Sequence, residues 1–214
     1  MKRLGLGILG SGKGSNCRAV LESIRSGVLP ADARVVISDV LDAPILEIAR
    51  EFSVPNAYLP PGQFRTRLEP NAEAELVQML RDAEVELVVL AGFMRVLKSA
   101  MLQAFPRRII NIHPSLLPSF PGLDAQRQAL AHGVRISGAT VHLVTGELDG
   151  GPIVSQAAVP VLDDDTVETL SARILVEEHR LYPLAIARVL DGNWTLEGRR
   201  FVSPLGTVGA ERRR

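Results

Sequence analysis

Hydrophobic and polar positions follow two different periods along most of the chain. Short aliphatic runs alternate with longer stretches in which apolar residues recur every three or four positions, a pattern typical of strands alternating with helices. The aliphatic runs predict strands at 4–9, 34–38, 56–59, 87–91, 109–112, 139–145 and 153–160. The chain is therefore predicted to have an α/β fold, with a mostly parallel central sheet and helices on both faces. We expect the first five strands to be parallel.

The helical period predicts two early helices and one long late helix. The early ones cover 15–26 and 71–81. The late helix begins near Asp165 with an acidic first turn and ends at Gly192. It carries an apolar stripe that includes Leu184, and Pro183 is expected to kink or break it. The sequence contains no repeat and no Pro/Ser-rich linker, so it predicts a single domain over residues 1–200. Residues 201–214 end in three arginines and are expected to form a flexible tail.

Charge and composition narrow the class of protein. Lys and Arg total 24 and Asp and Glu total 24, so no overall positive field favours nucleic acid. No stretch approaches about 18 apolar residues, the length that spans a membrane. The single Cys17 excludes an intrachain disulfide and fits a reducing compartment. We therefore expect a soluble, cytoplasmic protein.

The glycine-rich start nearly matches two nucleotide-binding motifs. Residues 5–10 spell G-x-G-x-x-G, but these glycines lie within the predicted strand and cannot form the turn. Residues 7–13 spell the first part of a P-loop, but Gly14 follows where Ser or Thr is needed for Mg²⁺. A strand, a glycine loop and a helix start at Ser15 remain, and such a helix start favours a phosphate. A plain glycine turn capped by Ser15 is the alternative.

Asn111 and His113 end one predicted strand just before the Pro-rich segment 114–121. Their spacing of two places both side chains on one side of the strand, at the carboxyl end where open α/β sheets bind ligands. An amide that binds an oxyanion beside an imidazole that moves a proton is suited to acyl transfer. A structural pair that caps a turn is the alternative.

Asp149 lies in the tight glycine loop 145–152, from which its carboxylate can be aimed at His113. A turn-forming Asp without a partner is the alternative. His142 lies on the preceding strand, where packing and a site role are equally compatible with its position. The four His are scattered and Cys17 is alone, so no metal site is predicted.

Five motifs together resemble the phosphoribosylglycinamide formyltransferases, the folate-dependent enzymes of purine biosynthesis. They lie at 11–16, 88–95, 111–123, 147–152 and 178–183. Each motif is weak alone, but together they are specific, and the resemblance extends from Leu4 to about Gly192. It implies a Rossmann-like formyltransferase fold.

The resemblance also implies roles for individual residues. The implied catalytic residues are Asn111, His113 and Asp149. Those implied to hold the substrate's ribose phosphate are Gly14, Ser15 and Asn16, and Glu178 is implied to contact the rest of that substrate. Those implied to bind the folate are Arg67, Met94, Arg95, Val96, Leu97 and Asn111. Arg65 is an alternative to Arg67.

The implied reaction moves a formyl group from 10-formyltetrahydrofolate to the amine of glycinamide ribonucleotide. This is the third step of de novo purine biosynthesis and gives formylglycinamide ribonucleotide. The partners are then small molecules, with no metal, ATP, nucleic acid or membrane, and the chain is compatible with a monomer or a homodimer. Three alternatives are a formyltetrahydrofolate hydrolase, a methionyl-tRNA formyltransferase and, from a different class, a Rossmann dinucleotide-binding module. A folate-binding regulator without transfer activity is a non-catalytic alternative.

Overall fold

The computed structural model describes residues 3–204, which form nine strands and six helices. In chain order these are β1 (Leu4–Leu9), α1 (Ser15–Arg25), β2 (Ala31–Ser38), α2 (Pro44–Glu51), β3 (Asn56–Tyr58), α3 (Pro70–Asp82), β4 (Leu87–Leu90), α4 (Ser99–Ala104), β5 (Ile109–His113), α5 (Ala125–Ala131), β6 (Ile136–Leu143), β7 (Ile153–Pro160), α6 (Val167–Leu190), β8 (Thr195–Glu197) and β9 (Arg200–Val202). The α/β class with a mostly parallel central sheet is confirmed.

The chain divides into two compact units. The first contains the chain up to Asn111 together with Val144–Gly146, and the second contains Ile112–Leu143 and the chain from Glu147 onward. A single domain over 1–200 stays a prediction.

The first unit contains five parallel strands in the order β3-β2-β1-β4-β5. The order reverses at β1, because the chain first adds strands on one side of β1 and then on the other. Since crossovers between parallel strands are right-handed, α1 and α2 lie on one face and α3 and α4 on the opposite face. The packing agrees, because α1 contacts α2 and α3 contacts α4. The expectation of five parallel strands with helices on both faces is confirmed.

Aliphatic side chains of α3 and α4 cover one face of this sheet. Leu76 and Leu80 of α3 and Met101 of α4 are fully buried in a cluster with Leu9 and Val88. Burying a Leu or Met side chain of this kind stabilises the fold by roughly 1.5–3 kcal/mol. The packing therefore fixes β1 and β4, whose carboxyl ends lead into the loops that carry predicted site residues.

The second unit is built on an antiparallel pair. β6 and β7 pair from Ile136 opposite Pro160, and their register shifts between Val141 and His142. The 24-residue helix α6 packs against both strands and continues through Pro183. The helix therefore does not break there, and the alternative of a kink stays a prediction. Leu184, predicted to lie on the buried stripe of this helix, is 38% exposed.

A short hairpin of β8 and β9 follows α6 in the second unit. β9 pairs with β7 at Ile153, and the ring of Phe201 stacks on Trp194 with 4.8 Å between ring centroids. Phe201 and Val202, predicted to begin the flexible tail 201–214, are therefore strand residues held by stacking and strand pairing. Residues 205–214 of that predicted tail lie outside the described residues. In the described part of the chain, no helix has both the length and the apolar character needed to cross a bilayer.

Candidate active site

The carboxylate of Asp149, 10% exposed and placed between two histidines, is the centre of the polar cluster in the second unit. His113 Nδ1 lies 3.5 Å from Asp149 Oδ2, and His142 Nε2 lies 3.7 Å from Asp149 Oδ1. The backbone N–H of Gly122 also donates a hydrogen bond of 2.8 Å to Oδ2. The structure thus brings the two predicted residues His113 and Asp149 together. It adds His142, whose role the sequence left open.

Backbone geometry directs the side chains of Asp149 and His142 into the cluster. Asp149 has a φ of +49°, in the left-handed region that Asp tolerates better than most residues. The register shift of β6 immediately before His142 is a bulge-like irregularity, and bulges commonly re-aim side chains beside functional sites. The signal that sequence reasoning missed is the position of His142, at the end of a strand that leads directly into the Asp149 loop.

The hydrogen-bond partners fix where the ring protons lie. His113 Nε2 is 2.8 Å from the carbonyl oxygen of Phe120, and His142 Nδ1 is 3.0 Å from that of Leu143. A carbonyl oxygen only accepts, so each of these nitrogens carries a proton. The nitrogens that face Asp149 are therefore protonated only when a ring is cationic.

The pKa of Asp149 lies below its ordinary value. Burial by itself raises the pKa, because it disfavours the charged form. The interaction with His142, the Gly122 N–H and the charge of His113 favour the carboxylate and together outweigh burial. The folded protein therefore stabilises the ionised form of Asp149.

The Pro-rich loop after β5 is anchored to β6 and β7. The Thr140 hydroxyl donates to the carbonyl of Ser115 at 2.7 Å and accepts the N–H of Leu117 at 3.0 Å. Gln156 donates to the carbonyl of Leu117 at 2.9 Å, and the Leu117–Pro118 bond is cis. These contacts hold the loop that supplies the Phe120 carbonyl and the Gly122 N–H.

The predicted phosphate-binding segment lies in the first unit, at the start of α1. Gly14 precedes the helix with a φ of +73°, and Ser15 and Asn16 form its first turn. A Cβ on Gly14 would lie 2.9 Å from the Cα of Ile45, so the position needs glycine for both its φ and its close packing. The first N–H groups of a helix have no carbonyl partners within it, which makes such a turn suitable for an anion.

The predicted folate-binding segment 94–97 follows β4 in the same unit. Val96 donates its N–H to the carbonyl of Thr66 at 2.8 Å, and Val96 forms a parallel bridge with Arg67. The Arg67 guanidinium lies 4.0 Å from the centre of the Phe64 ring. The backbone of Arg67 is thus held beside the segment 94–97. Arg65 and Arg67 are both exposed.

The remaining predicted site residues lie on regular elements. Asn111 is half-buried on β5, opposite Leu90 of β4, in the first unit. Glu178 is a buried residue of α6 in the second unit. Over residues 3–204, the structure shows no group of three or more His, Cys, Asp or Glu side chains arranged to hold a metal ion.

We expect the destabilisation caused by Asp149→Asn to depend on pH. Because the folded state lowers the pKa of Asp149, its ionised carboxylate stabilises the fold above the ordinary pKa of about 3.9, and this contribution is lost as the pH falls. The substitution should therefore lower the free energy of unfolding more at pH 6 than at pH 3. Urea denaturation at both pH values measures the difference.

Asp164→Asn is the matched control for this measurement, because Asp164 is an exposed aspartate of the same unit. The control should change the free energy of unfolding little at either pH. An equal loss of stability at pH 6 and pH 3 for Asp149→Asn would show that its carboxylate is not stabilised in the folded protein.

Comparisons with known proteins show the family to which the chain belongs. The model of the formyl transferase family matches residues 6–186. A phosphoribosylglycinamide formyltransferase of Bacillus subtilis is 39% identical over 186 residues, covering 87% of this chain and 94% of the relative. The crystal structure of glycinamide ribonucleotide transformylase 1 from Symbiobacterium toebii is 51% identical, with a TM-score of 0.89 and 93% of each chain covered.

A formyltetrahydrofolate deformylase from Pseudomonas syringae pv. tomato has a similar fold but a more distant sequence. Its TM-score is 0.86 at 26% identity, over 94% of this chain and 66% of that one. The fold is therefore shared by a transferase and a deformylase, while the sequence is closer to the transferases. On the family match and these identities, the chain belongs to the formyl transferase family.

Proposed function

We propose that this chain transfers the formyl group of 10-formyltetrahydrofolate to the amine of glycinamide ribonucleotide, giving formylglycinamide ribonucleotide in de novo purine biosynthesis. Family membership and relatives named phosphoribosylglycinamide formyltransferase support the proposal. The observation that carries it is the contact of His113 with Asp149, in which an imidazole nitrogen lies 3.5 Å from a carboxylate oxygen. This pair is suited to the proton transfer that acyl transfer to an amine requires.

The proposal assigns the two substrates to separate groups of residues. The first turn of α1, with Gly14, Ser15 and Asn16, binds the ribose phosphate, and Glu178 binds the glycinamide part. The folate is bound by Arg67, by Asn111 and by the segment Met94, Arg95, Val96 and Leu97. Both reactants are small molecules, and the reaction takes place in the cytoplasm.

The reaction proceeds through a tetrahedral intermediate. The amine nitrogen attacks the formyl carbon, a C–N bond forms, and the carbonyl oxygen becomes an oxyanion. Asn111 donates a hydrogen bond to that oxygen, and Asp149 stabilises a cationic His113. The bond from carbon to N10 then breaks, and the proton lost by the amine reaches N10. The formyl donor is already activated, so the proposed reaction uses neither metal nor ATP.

The hydrogen bonds of His113 limit the role that it can have in the reaction. Its Nε2 proton is already donated to the carbonyl of Phe120 at 2.8 Å, and Nδ1 faces Asp149. Donation from His113 to the oxyanion therefore requires Nε2 to leave the Phe120 carbonyl. Proton transfer through Asp149 requires no such movement. In the proposed mechanism Asn111 stabilises the oxyanion, and the cluster around Asp149 moves the proton.

A turnover assay with both substrates tests the function. Formylglycinamide ribonucleotide should form only when 10-formyltetrahydrofolate and glycinamide ribonucleotide are both present, and added metal chelator should leave the rate unchanged. Release of formate without the amine substrate would instead indicate a hydrolase. Formylation of methionyl-tRNA would indicate a tRNA-directed transferase, and binding of a nicotinamide cofactor would indicate a dinucleotide-binding module.

We expect Asn111→Ala to lower kcat by about 10²-fold, as the loss of one oxyanion donor does in other enzymes. KM values for both substrates should change less than kcat, because the lost hydrogen bond forms mainly in the transition state. Steady-state kinetics with each substrate varied separately measures this. A folded Asn111→Ala variant with the wild-type kcat would remove Asn111 from the mechanism.

Gly14→Ala is expected to raise the KM for glycinamide ribonucleotide by about tenfold or more, because Cβ strains the turn that presents the N–H groups to the phosphate. Gly12→Ala is the matched control, since a Cβ on Gly12 would meet nothing within 4 Å. The control should retain the wild-type KM. Equal KM values for the two variants would argue against a phosphate at this turn.

A further inference from the structure

The buried carboxylate of Asp39 lies at the carboxyl end of β2 in the first unit. Its side chain is 1% exposed. The Ser11 hydroxyl donates to Oδ1 at 2.5 Å, and Arg95 Nε donates to Oδ2 at 2.6 Å. Both oxygens of the carboxylate therefore accept hydrogen bonds from residues of other loops, Ser11 after β1 and Arg95 after β4. No sequence motif singles out Asp39.

The bond to Asp39 sets the direction of the Ser11 hydroxyl. A hydroxyl has one proton to donate, and the carboxylate takes it. The oxygen of Ser11 is then free to accept, and it accepts the backbone N–H of Met94 at 2.9 Å. The backbone N–H of Ser11 donates to the carbonyl of Gly92 at 3.0 Å. The loop after β1 is thus tied to the loop after β4 at two points.

The ion pair of Arg95 with Asp39 also holds the loop after β4. Arg95 is 15% exposed at its side chain, and its Nη1 donates to the carbonyl of Phe64 while Nε is held by Asp39. A guanidinium with two directed bonds has a defined orientation. Asp39 also balances its positive charge. Met94 and Arg95, at the start of the proposed folate-binding segment, therefore both depend on one carboxylate.

We propose that Asp39 is a positioning residue that holds the segment 94–97 in the conformation that binds the folate. The inference rests on the proposed function for its substrate, but the contacts that carry it lie entirely within the first unit. A purely structural role would change stability alone. A positioning role also changes folate binding and the protection of the Met94 N–H.

The test compares Asp39→Asn with Asp42→Asn, an exposed aspartate in the same loop between β2 and α2. Asp39→Asn places an amide against Arg95 Nε and removes the balancing charge. It should raise the KM for the folate by about tenfold, while kcat and the KM for glycinamide ribonucleotide change by less than about threefold. Asp42→Asn should match the wild type in all three constants.

Hydrogen exchange of the Met94 amide, followed by NMR without substrates, provides a readout besides activity. Exchange should be about tenfold faster in Asp39→Asn and unchanged in Asp42→Asn. An unchanged folate KM or unchanged Met94 exchange in a folded variant overturns the proposal, as does an equal rise in both KM values. If the wild-type protein transfers no formyl group, the proposed function fails, and the exchange measurement still decides whether Asp39 positions the segment.

Ser11→Ala keeps the proposal testable if Asp39→Asn does not fold. It removes the hydroxyl that donates to Asp39 and accepts the Met94 N–H, and it leaves the ion pair of Asp39 with Arg95 in place. We expect faster exchange at Met94 and a rise of about threefold in the folate KM. Wild-type values for both would overturn the proposal.

Discussion

A carboxylate that is shielded from water needs a partner for its charge and hydrogen-bond donors for its oxygens. This requirement determines how polar side chains are arranged in both units. In the second unit Asp149 is met by two histidines and a backbone N–H. In the first unit Asp39 is met by a hydroxyl and a guanidinium. In each case the partners come from different segments of the chain: two strands and a loop for Asp149, and two loops for Asp39. Each carboxylate therefore holds several segments at once. Ordinary electrostatics thereby supplies the rigidity that a site for small molecules needs.

The placement of those loops follows from the strand order. Because the sheet of the first unit reverses direction at β1, the helices after β1 and β4 lie on opposite faces and leave space between the two carboxyl ends. The contacts of Ser11 with Gly92 and Met94 occur at this point. The glycine loop before α1 leads from β1 to a helix start, and a helix start favours an anion even without a complete nucleotide motif.

The sequence predicts the parts of the fold that depend on local periodicity. The aliphatic runs identify the five parallel strands and the pair that follows them, and the wide apolar face of α6 identifies the last helix. Short elements such as α2 and β9 escape prediction, since a few residues carry too little periodicity and their order comes from tertiary contacts such as Phe201 on Trp194. The sequence also predicts a contact of Asp149 with His113, because the glycine loop 145–152 allows the carboxylate to point toward that histidine. The position of His142, at the end of the strand that leads into this loop, is a signal for a partner of Asp149. Asp39 cannot be identified in this way, because its partners Ser11 and Arg95 lie in loops that are distant in sequence.

The shared fold of transferases and deformylases limits what the Asp149 cluster can explain. Both reactions pass through a tetrahedral carbon with an oxyanion, and both move a proton from the nucleophile to the leaving nitrogen. A carboxylate beside two imidazoles can take part in moving a proton from water as well as from an amine. What distinguishes the two activities is which nucleophile is held near the formyl carbon, and binding energy from a remote phosphate is an effective way to hold an amine there. On the proposed function, the preference for the amine therefore rests on the turn before α1, where Gly14 packs against Ile45, more than on the residues that perform the chemistry.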